Sequence, residues 1–221
     1  MGYFAVLYRK VTLRVKQGIA QYEFENGKMM AHLDVVFANR YFEAYEAYRQ
    51  QKPCSQSWKI AFDACQESRH IILQHLLTGI NAHINLDLGI AALDTAGNTP
   101  LETIYQDFNN INGILGEMVE GVKKNLGSVS PTFMWLIPLA PKTEEMLINF
   151  SIETARDGAW KFANELHASG RSHSLIQERD TLISMLGKGI RKPGFLLSFL
   201  VSIIGMFEWR SVRSNLKIME R

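Results

Sequence analysis

Apolar residues recur three and four positions apart through most of the chain, beginning with Phe4, Leu7, Val11 and Val15. A helix collects such positions on one face, whereas a half-buried strand requires strict alternation of apolar and polar residues. Turn-forming residues, such as the Asn26-Gly27 dipeptide and Pro100, separate the periodic segments. The pattern therefore predicts an all-α fold.

About eight helices follow from these boundaries. Two precede residue 50, a third begins at Trp58, the fourth covers about 69–94, and the fifth extends from Pro100 to Gly127. Later helices are predicted at 142–168 and 175–188, and an apolar one follows Pro193. Because we find no internal repeat and no linker, residues 1–221 are predicted to form one compact helical domain around the fourth helix.

The fourth helix carries polar residues although it is apolar in nearly every direction. Its polar positions are His75, Asn81, His83, Asn85 and Asp87, with Gly79 on the same stripe as His75, His83 and Asp87. A helix that is apolar all round is expected to be buried. Each buried polar group without a partner costs about 1–3 kcal/mol, so these side chains must face other polar groups. We therefore treat the stripe as the candidate site.

Three interpretations of the stripe remain open. It could be a structural hydrogen-bond network that fixes helix register. It could bind a divalent transition metal, because His83 and Asp87 point together at i and i+4 and suit zinc, manganese or iron. His75 lies about 12 Å along the axis from His83, too far to share one ion comfortably. Finally, it could be a metal-free pocket in which His83 and a carboxylate act as a base or bind a polar ligand.

The fifth helix shows the same pattern, with Asp107 and Asn112 on or beside its apolar face. If the fourth and fifth helices pack antiparallel, Asp107 comes close to Asp87. His83, Asp87 and Asp107 would then converge, and a metal or a shared proton would reconcile the two carboxylates. These three residues are our candidate catalytic groups, with His75, Asn81, Asn85 and Asn112 as candidate substrate-binding groups.

Arg156 lies among apolar residues in the segment FSIETARDGAW. We expect it to pair with a buried carboxylate, Asp87 or Asp107, because a buried arginine needs a counter-charge. The alternative is that it binds an anionic substrate. The same two interpretations, a buried ion pair or contact with a substrate, remain open for Asp34 and Arg40 on the second helix.

Composition limits the partners and the cellular location that can be expected, but it does not give a function. The 24 Lys and Arg against 22 Asp and Glu leave a net charge of +2, so no nucleic-acid partner is predicted. Two unpaired cysteines and no export signal favour a cytoplasmic location. The longest apolar run, Gly194–Phe207, is shorter than the roughly 20 residues of a transmembrane helix. It is expected to be buried or to lie on a surface, and residues 188–221 hold seven Lys and Arg against Glu208 and Glu220.

Four segments resemble an uncharacterised bacterial helical family of unknown function. They are FANRYFEA at 37–44, QHLLTGINAHINLDLGIAA at 74–92, DFNNINGIL at 107–115 and FSIETARDGAW at 150–160. The most specific part is Asn-Ala-His-Ile-Asn-Leu-Asp-Leu at 81–88, which contains the candidate His83 and Asp87. The resemblance implies no reaction, cofactor or partner.

Two functional hypotheses follow. The first is a hydrolase- or lyase-like enzyme acting on a small or lipid-like substrate, with His83 as base. The second is a non-catalytic ligand-binding or scaffold protein whose buried polar residues only connect helices. A cavity that reaches the stripe favours the first hypothesis, and a stripe filled by side chains favours the second.

Overall fold

A computed structural model describes residues 1–67, 70–132, 152–208 and 211–220. These residues form ten α-helices and no strand, which confirms the all-α prediction. The helices are α1 Gly2–Ala20, α2 Gly27–Arg49, α3 Gln56–Ala64, α4 Ile72–Ala82, α5 Leu88–Ala96, α6 Tyr105–Val129, α7 Ile152–Ala168, α8 His173–Arg191, α9 Phe195–Phe207 and α10 Val212–Met219. A 3₁₀ turn, Leu101–Ile104, precedes α6.

The number of helices differs from the predicted eight at two places. The predicted fourth helix is divided by a π-helical turn, His83–Asp87, which separates α4 from α5. A further short helix, α10, follows the apolar C-terminal helix. The first ten residues of the predicted 142–168 helix lie outside the described residues.

The α4–α5 helix lies in the centre of the fold, as its apolar surface predicted. Helices α1, α2, α3, α7 and α8 pack around it and its π turn. Residues 72–96 are long and apolar enough to span a membrane, but 94% of the qualifying window is buried inside the protein. Its hydrophobicity therefore matches its role as the core helix.

Two glycines allow the closest packing of this central helix. A Cβ atom on Gly79 would lie 2.7 Å from the ring of Phe4, and one on Gly89 would lie 2.6 Å from the carbonyl oxygen of Ala159. Glycine costs about 1 kcal/mol in a helix relative to alanine, and close approach of a neighbour compensates for that cost. Gly89 therefore fixes the distance between α5 and α7.

Two carboxylates from the C-terminal part of the chain, the buried Asp180 and the partly buried Glu208, accept hydrogen bonds from the first residues of α3 and α4. Asp180 accepts hydrogen bonds from the backbone N–H groups of Gln56 and Ser57 at 2.6 and 2.9 Å. Glu208 accepts from the N–H of Ile72 at 2.9 Å, and its burial raises its pKa to about 7. The first N–H groups of a helix lack partners inside the helix, so these contacts connect α3 and α4 to the C-terminal part of the chain.

Candidate functional site

Asp87 is the centre of a buried polar network. Its Oδ2 accepts a hydrogen bond from Trp58 Nε1 at 2.7 Å and lies 3.2 Å from His83 Nδ1. Its Oδ1 accepts from Arg40 Nε at 2.9 Å. Asp87 and His83 are almost fully buried, and the Arg40 side chain is 27% exposed. The predicted i, i+4 contact between His83 and Asp87 is thus present, within the π turn.

Aromatic rings enclose His83. The imidazole stacks on the ring of Phe37 with centroids 3.6 Å apart, and the ring of Tyr8 lies 4.5 Å away. Phe4 and Trp58 pack within 6 Å of it. Burial lowers the pKa of His83, although Asp87 opposes this effect. The imidazole is therefore neutral near pH 7.

The network does not fit the metal interpretation. Among the described residues, no group of three His, Cys, Asp or Glu side chains is placed to hold an ion. Asp87 is also contacted by the Arg40 guanidinium, whose positive charge opposes a second cation at the same carboxylate. The carboxylate of Asp87 instead accepts hydrogen bonds from the N–H groups around it, those of Trp58, Arg40 and His83.

The expected convergence of Asp107 with Asp87 is wrong. Asp107 accepts hydrogen bonds from the backbone N–H groups of Glu25 and Asn26, at 2.8 and 2.7 Å, at the start of α2. These N–H groups belong to the two residues that precede α2, whereas Asp180 binds the first two N–H groups inside α3. The two backbone hydrogen bonds satisfy the Asp107 carboxylate, which explains its burial without any catalytic role.

The other candidates on the central helix lie apart from this network. Asn81 donates to the carbonyl of Ile183 at 2.9 Å and accepts from Asn85 at 3.1 Å, so these two connect α4 and the π turn with α8. His75 is half-buried, its Nδ1 lies 3.9 Å from Cys65 Sγ, and burial lowers its pKa to about 4. The polar stripe is therefore divided into three separate environments.

Beside the network lies a cavity of about 210 Å³ between α1, α2, the central helix, α6 and α7. Aliphatic and aromatic side chains form most of its wall. Among the described residues, those lining it are Leu7, Tyr8, Val11, Val15, Met30, Leu33, Asp34, Phe37, Ile80, Ile84, Leu88, Ile111, Leu115, Met118, Val122, Lys123, Ile152 and Arg156. Neither His83 nor Asp87 is among them.

Arg156 lines this cavity, and the expected partner is wrong here as well. Its Nε donates to Asn112 Oδ1 at 2.6 Å, its Nη2 donates to the carbonyl of Phe108, and the guanidinium lies over the Phe108 ring. No carboxylate of the described residues forms an ion pair with it, although the residue is only 3% exposed. Burial lowers its pKa to about 10, so the group is still positively charged at pH 7.

Three further polar residues line the cavity: Tyr8, Asp34 and the exposed Lys123. Burial raises the pKa of the Tyr8 phenol above its ordinary value, an effect that Arg156 opposes, so the phenol stays a neutral hydroxyl. Burial also raises the pKa of Asp34, whose Oδ1 accepts from Thr12 at 3.3 Å. The cavity wall thus combines an apolar surface with the buried Arg156 cation, the Tyr8 hydroxyl group, the Asp34 carboxyl group and the exposed Lys123.

Sequence reasoning missed Trp58 and Tyr8, which complete the polar network and the cavity wall. The sequence pattern identifies Trp58 only as the first apolar residue of α3, because an indole N–H leaves no trace in apolar spacing. The same pattern identifies Arg40 as a polar residue on an apolar face and does not give its partner. Only the placement of α2 and α3 against the π turn brings these groups to Asp87.

The model of a family of unknown function, DUF5995, matches residues 1–193. The chain belongs to this family. The DUF5995 match covers α1–α8, and with them the Asp87 network and the described wall of the cavity, and it ends before α9. No curated protein and no solved structure matches the chain.

Proposed function

We propose that this DUF5995 protein is a non-catalytic binding protein for a small amphipathic carboxylate, such as a medium-chain fatty acid. The observation that carries the proposal is Arg156, a buried cation in the wall of an apolar cavity with no carboxylate partner among the described residues. A bound carboxylate would supply the missing counter-charge, and the apolar tail would occupy the rest of the cavity.

The energetics of burial support this assignment. An isolated buried charge costs several kcal/mol, and two neutral acceptors and an aromatic ring offset only part of that cost. A carboxylate and a guanidinium form paired, charge-assisted hydrogen bonds that are about twice as strong as neutral ones. The neutral Tyr8 hydroxyl is available as a further donor at the same cavity.

The size of the cavity limits the ligand. Its volume of about 210 Å³ exceeds the roughly 150 Å³ of an apolar protein cavity that binds benzene, and it is below the range of drug-sized pockets. We therefore infer a ligand with a short apolar part, such as an alkyl chain of about eight carbons.

The position of His83 favours binding over catalysis. Phe37 and Tyr8 line the cavity and pack against the imidazole, so their rings lie between His83 and the ligand space. A general base must come within hydrogen-bond distance of the proton that it removes. On this proposal the Asp87 network stabilises the wall of the binding site.

Calorimetric titration with octanoate tests the proposal. Octanol has the same chain without the charge, and acetate has the charge without the chain. The wild-type protein should bind octanoate more tightly than either compound. Arg156→Met should weaken octanoate binding about 10- to 100-fold, because a hydrogen bond to a charged group contributes about 1.5–3 kcal/mol.

Arg179→Met is the matched control. Arg179 also donates to a backbone carbonyl and lies over an aromatic ring, Phe162, but it does not line the cavity. Its replacement should leave octanoate affinity unchanged, whereas Val11→Phe, which fills the cavity, should abolish binding. Equal loss of affinity in the Arg156 and Arg179 variants, or equal binding of octanol and octanoate, would contradict the proposal.

A further inference from the structure

The outward face of α9 is apolar. Four of the five exposed positions that the structure describes, Phe195, Phe199, Ser202 and Met206, fall within about 60° of one another around the helix, and the fifth, Phe207, lies outside this sector at the end of the helix. Phe195 is 93% exposed, Phe199 60% and Met206 64%. Large apolar side chains scattered singly on a surface are ordinary, but a stripe along one helix marks a face that contacts something apolar.

The opposite face holds α9 on the protein. Ile204 lies about 180° around the helix from Phe195 and is buried against Ile71, with Val201 and Leu73 beside them. Glu208, the residue after α9, accepts a hydrogen bond from the backbone N–H of Ile72 at the start of α4. The helix has 13 residues and is about 20 Å long, too short to cross a bilayer but long enough to lie along one.

Exposed basic side chains flank α9 in sequence on both sides. Lys188 and Lys192 precede it, and Arg213 and Lys217 follow it one turn apart on α10. None of the four forms an ion pair with any residue that the structure describes. Helix α9 itself contains no charged residue.

We propose that α9 is a docking surface for an anionic phospholipid bilayer, with Phe195, Phe199 and Met206 inserted between the lipid headgroups. An exposed apolar helix face, with exposed Lys and Arg side chains before and after it in the sequence, matches the apolar interior and the negative surface of such a membrane. This inference concerns a different surface from the cavity and does not depend on the proposed ligand.

A second copy of the chain is a poorer occupant of this face. A helix about 20 Å long and about 10 Å wide presents roughly 200 Å², whereas a stable interface buries about 800 Å² on each partner. The exposed basic side chains on both sides of α9 in the sequence favour a negatively charged partner.

Vesicle flotation tests the inference, with vesicles of phosphatidylcholine alone and of phosphatidylcholine with 30% phosphatidylglycerol. The wild-type protein should float with the anionic vesicles, and at least tenfold less should float with the neutral ones. Phe195→Glu/Phe199→Glu should reduce the bound fraction at least tenfold. Lys188→Gln/Lys192→Gln should weaken binding about fivefold for each charge removed.

The matched control is Phe42→Glu on α2, because Phe42 is 59% exposed and Phe199 60%. This variant should bind vesicles like the wild type, and circular dichroism should show that all variants are folded. Equal binding to neutral and anionic vesicles, no binding to either, or an equal loss in the Phe42 variant would overturn the inference. Sedimentation showing a dimer that Phe199→Glu dissociates would assign the face to a second copy instead.

Discussion

Replacing Asp87 by Asn removes one charge from the network without changing its size. The carboxylate accepts from three side chains, Trp58, Arg40 and His83, at 2.7–3.2 Å. An amide offers one acceptor oxygen and one N–H₂ group. If the oxygen stays with Trp58 and His83, the N–H₂ group faces the Arg40 guanidinium, and two donors then oppose each other.

The loss of unfolding free energy can be worked out from the interaction that each contact of Asp87 loses in the Asn variant. Removing one partner of a buried ion pair costs about 3–5 kcal/mol, and the partial exposure of Arg40 places this pair at the lower end because its guanidinium regains water. The hydrogen bonds of Trp58 and His83 lose their charge assistance, which costs about 1 kcal/mol more. We expect Asp87→Asn to lower the free energy of unfolding by about 3–4 kcal/mol.

Urea unfolding followed by tryptophan fluorescence measures this change, and the melting temperature should fall by about 6–15 °C for a chain of this length. Asp63→Asn is the control, because Asp63 also accepts from an aromatic side chain and a cation, Tyr48 and Lys59, but is 32% exposed. It should cost less than about 1 kcal/mol. A similarly small loss for Asp87→Asn would refute the claim that Asp87 organises the core.

Three further predictions concern packing, helix starts and pH. Gly89→Ala should lower the free energy of unfolding by about 1–3 kcal/mol, because its Cβ would meet a backbone carbonyl at 2.6 Å, whereas Gly113→Ala, with no atom near its Cβ position, should be neutral or stabilising. Asp107→Ala should lower the free energy of unfolding by about 2–4 kcal/mol and speed amide exchange at Glu25 and Asn26, just before α2, where two N–H groups lose their acceptor. Burial lowers the pKa of His83, so the unfolded chain takes up a proton at a higher pH than the folded protein does. The stability that this residue contributes is present above about pH 6.5 and is lost as the pH falls. His83→Asn should therefore lose less unfolding free energy than the wild type between pH 7 and 5. An equal loss in the two proteins would contradict this assignment.

The features that the sequence could predict are those that depend on local spacing. The central helix has apolar residues in nearly every direction, so its burial follows from helical periodicity alone. The contact between His83 and Asp87 is equally local, because residues four apart in a helix are neighbours. The widening of that turn into a π turn did not alter this pairing.

The partners of Asp107 and Arg156 depend on how distant helices pack, and both expectations were wrong for that reason. A buried charge is expected to meet an opposite side-chain charge. Asp107 instead meets backbone N–H groups 81 and 82 positions away, and Arg156 meets an amide and a carbonyl. A cavity is also invisible to periodicity, because it is a volume that side chains of several helices leave unfilled.

The central claim is that Arg156 holds the carboxylate of a ligand whose tail lies in the cavity. A crystal structure of the protein with 8-bromooctanoate tests it most directly, because anomalous scattering from bromine locates the end of the chain. We predict the carboxylate within about 3 Å of the Arg156 guanidinium and the bromine among Leu33, Ile84 and Ile111. Two results would contradict the account: bromine located outside the cavity, or a carboxylate that contacts solvent and not the Arg156 guanidinium.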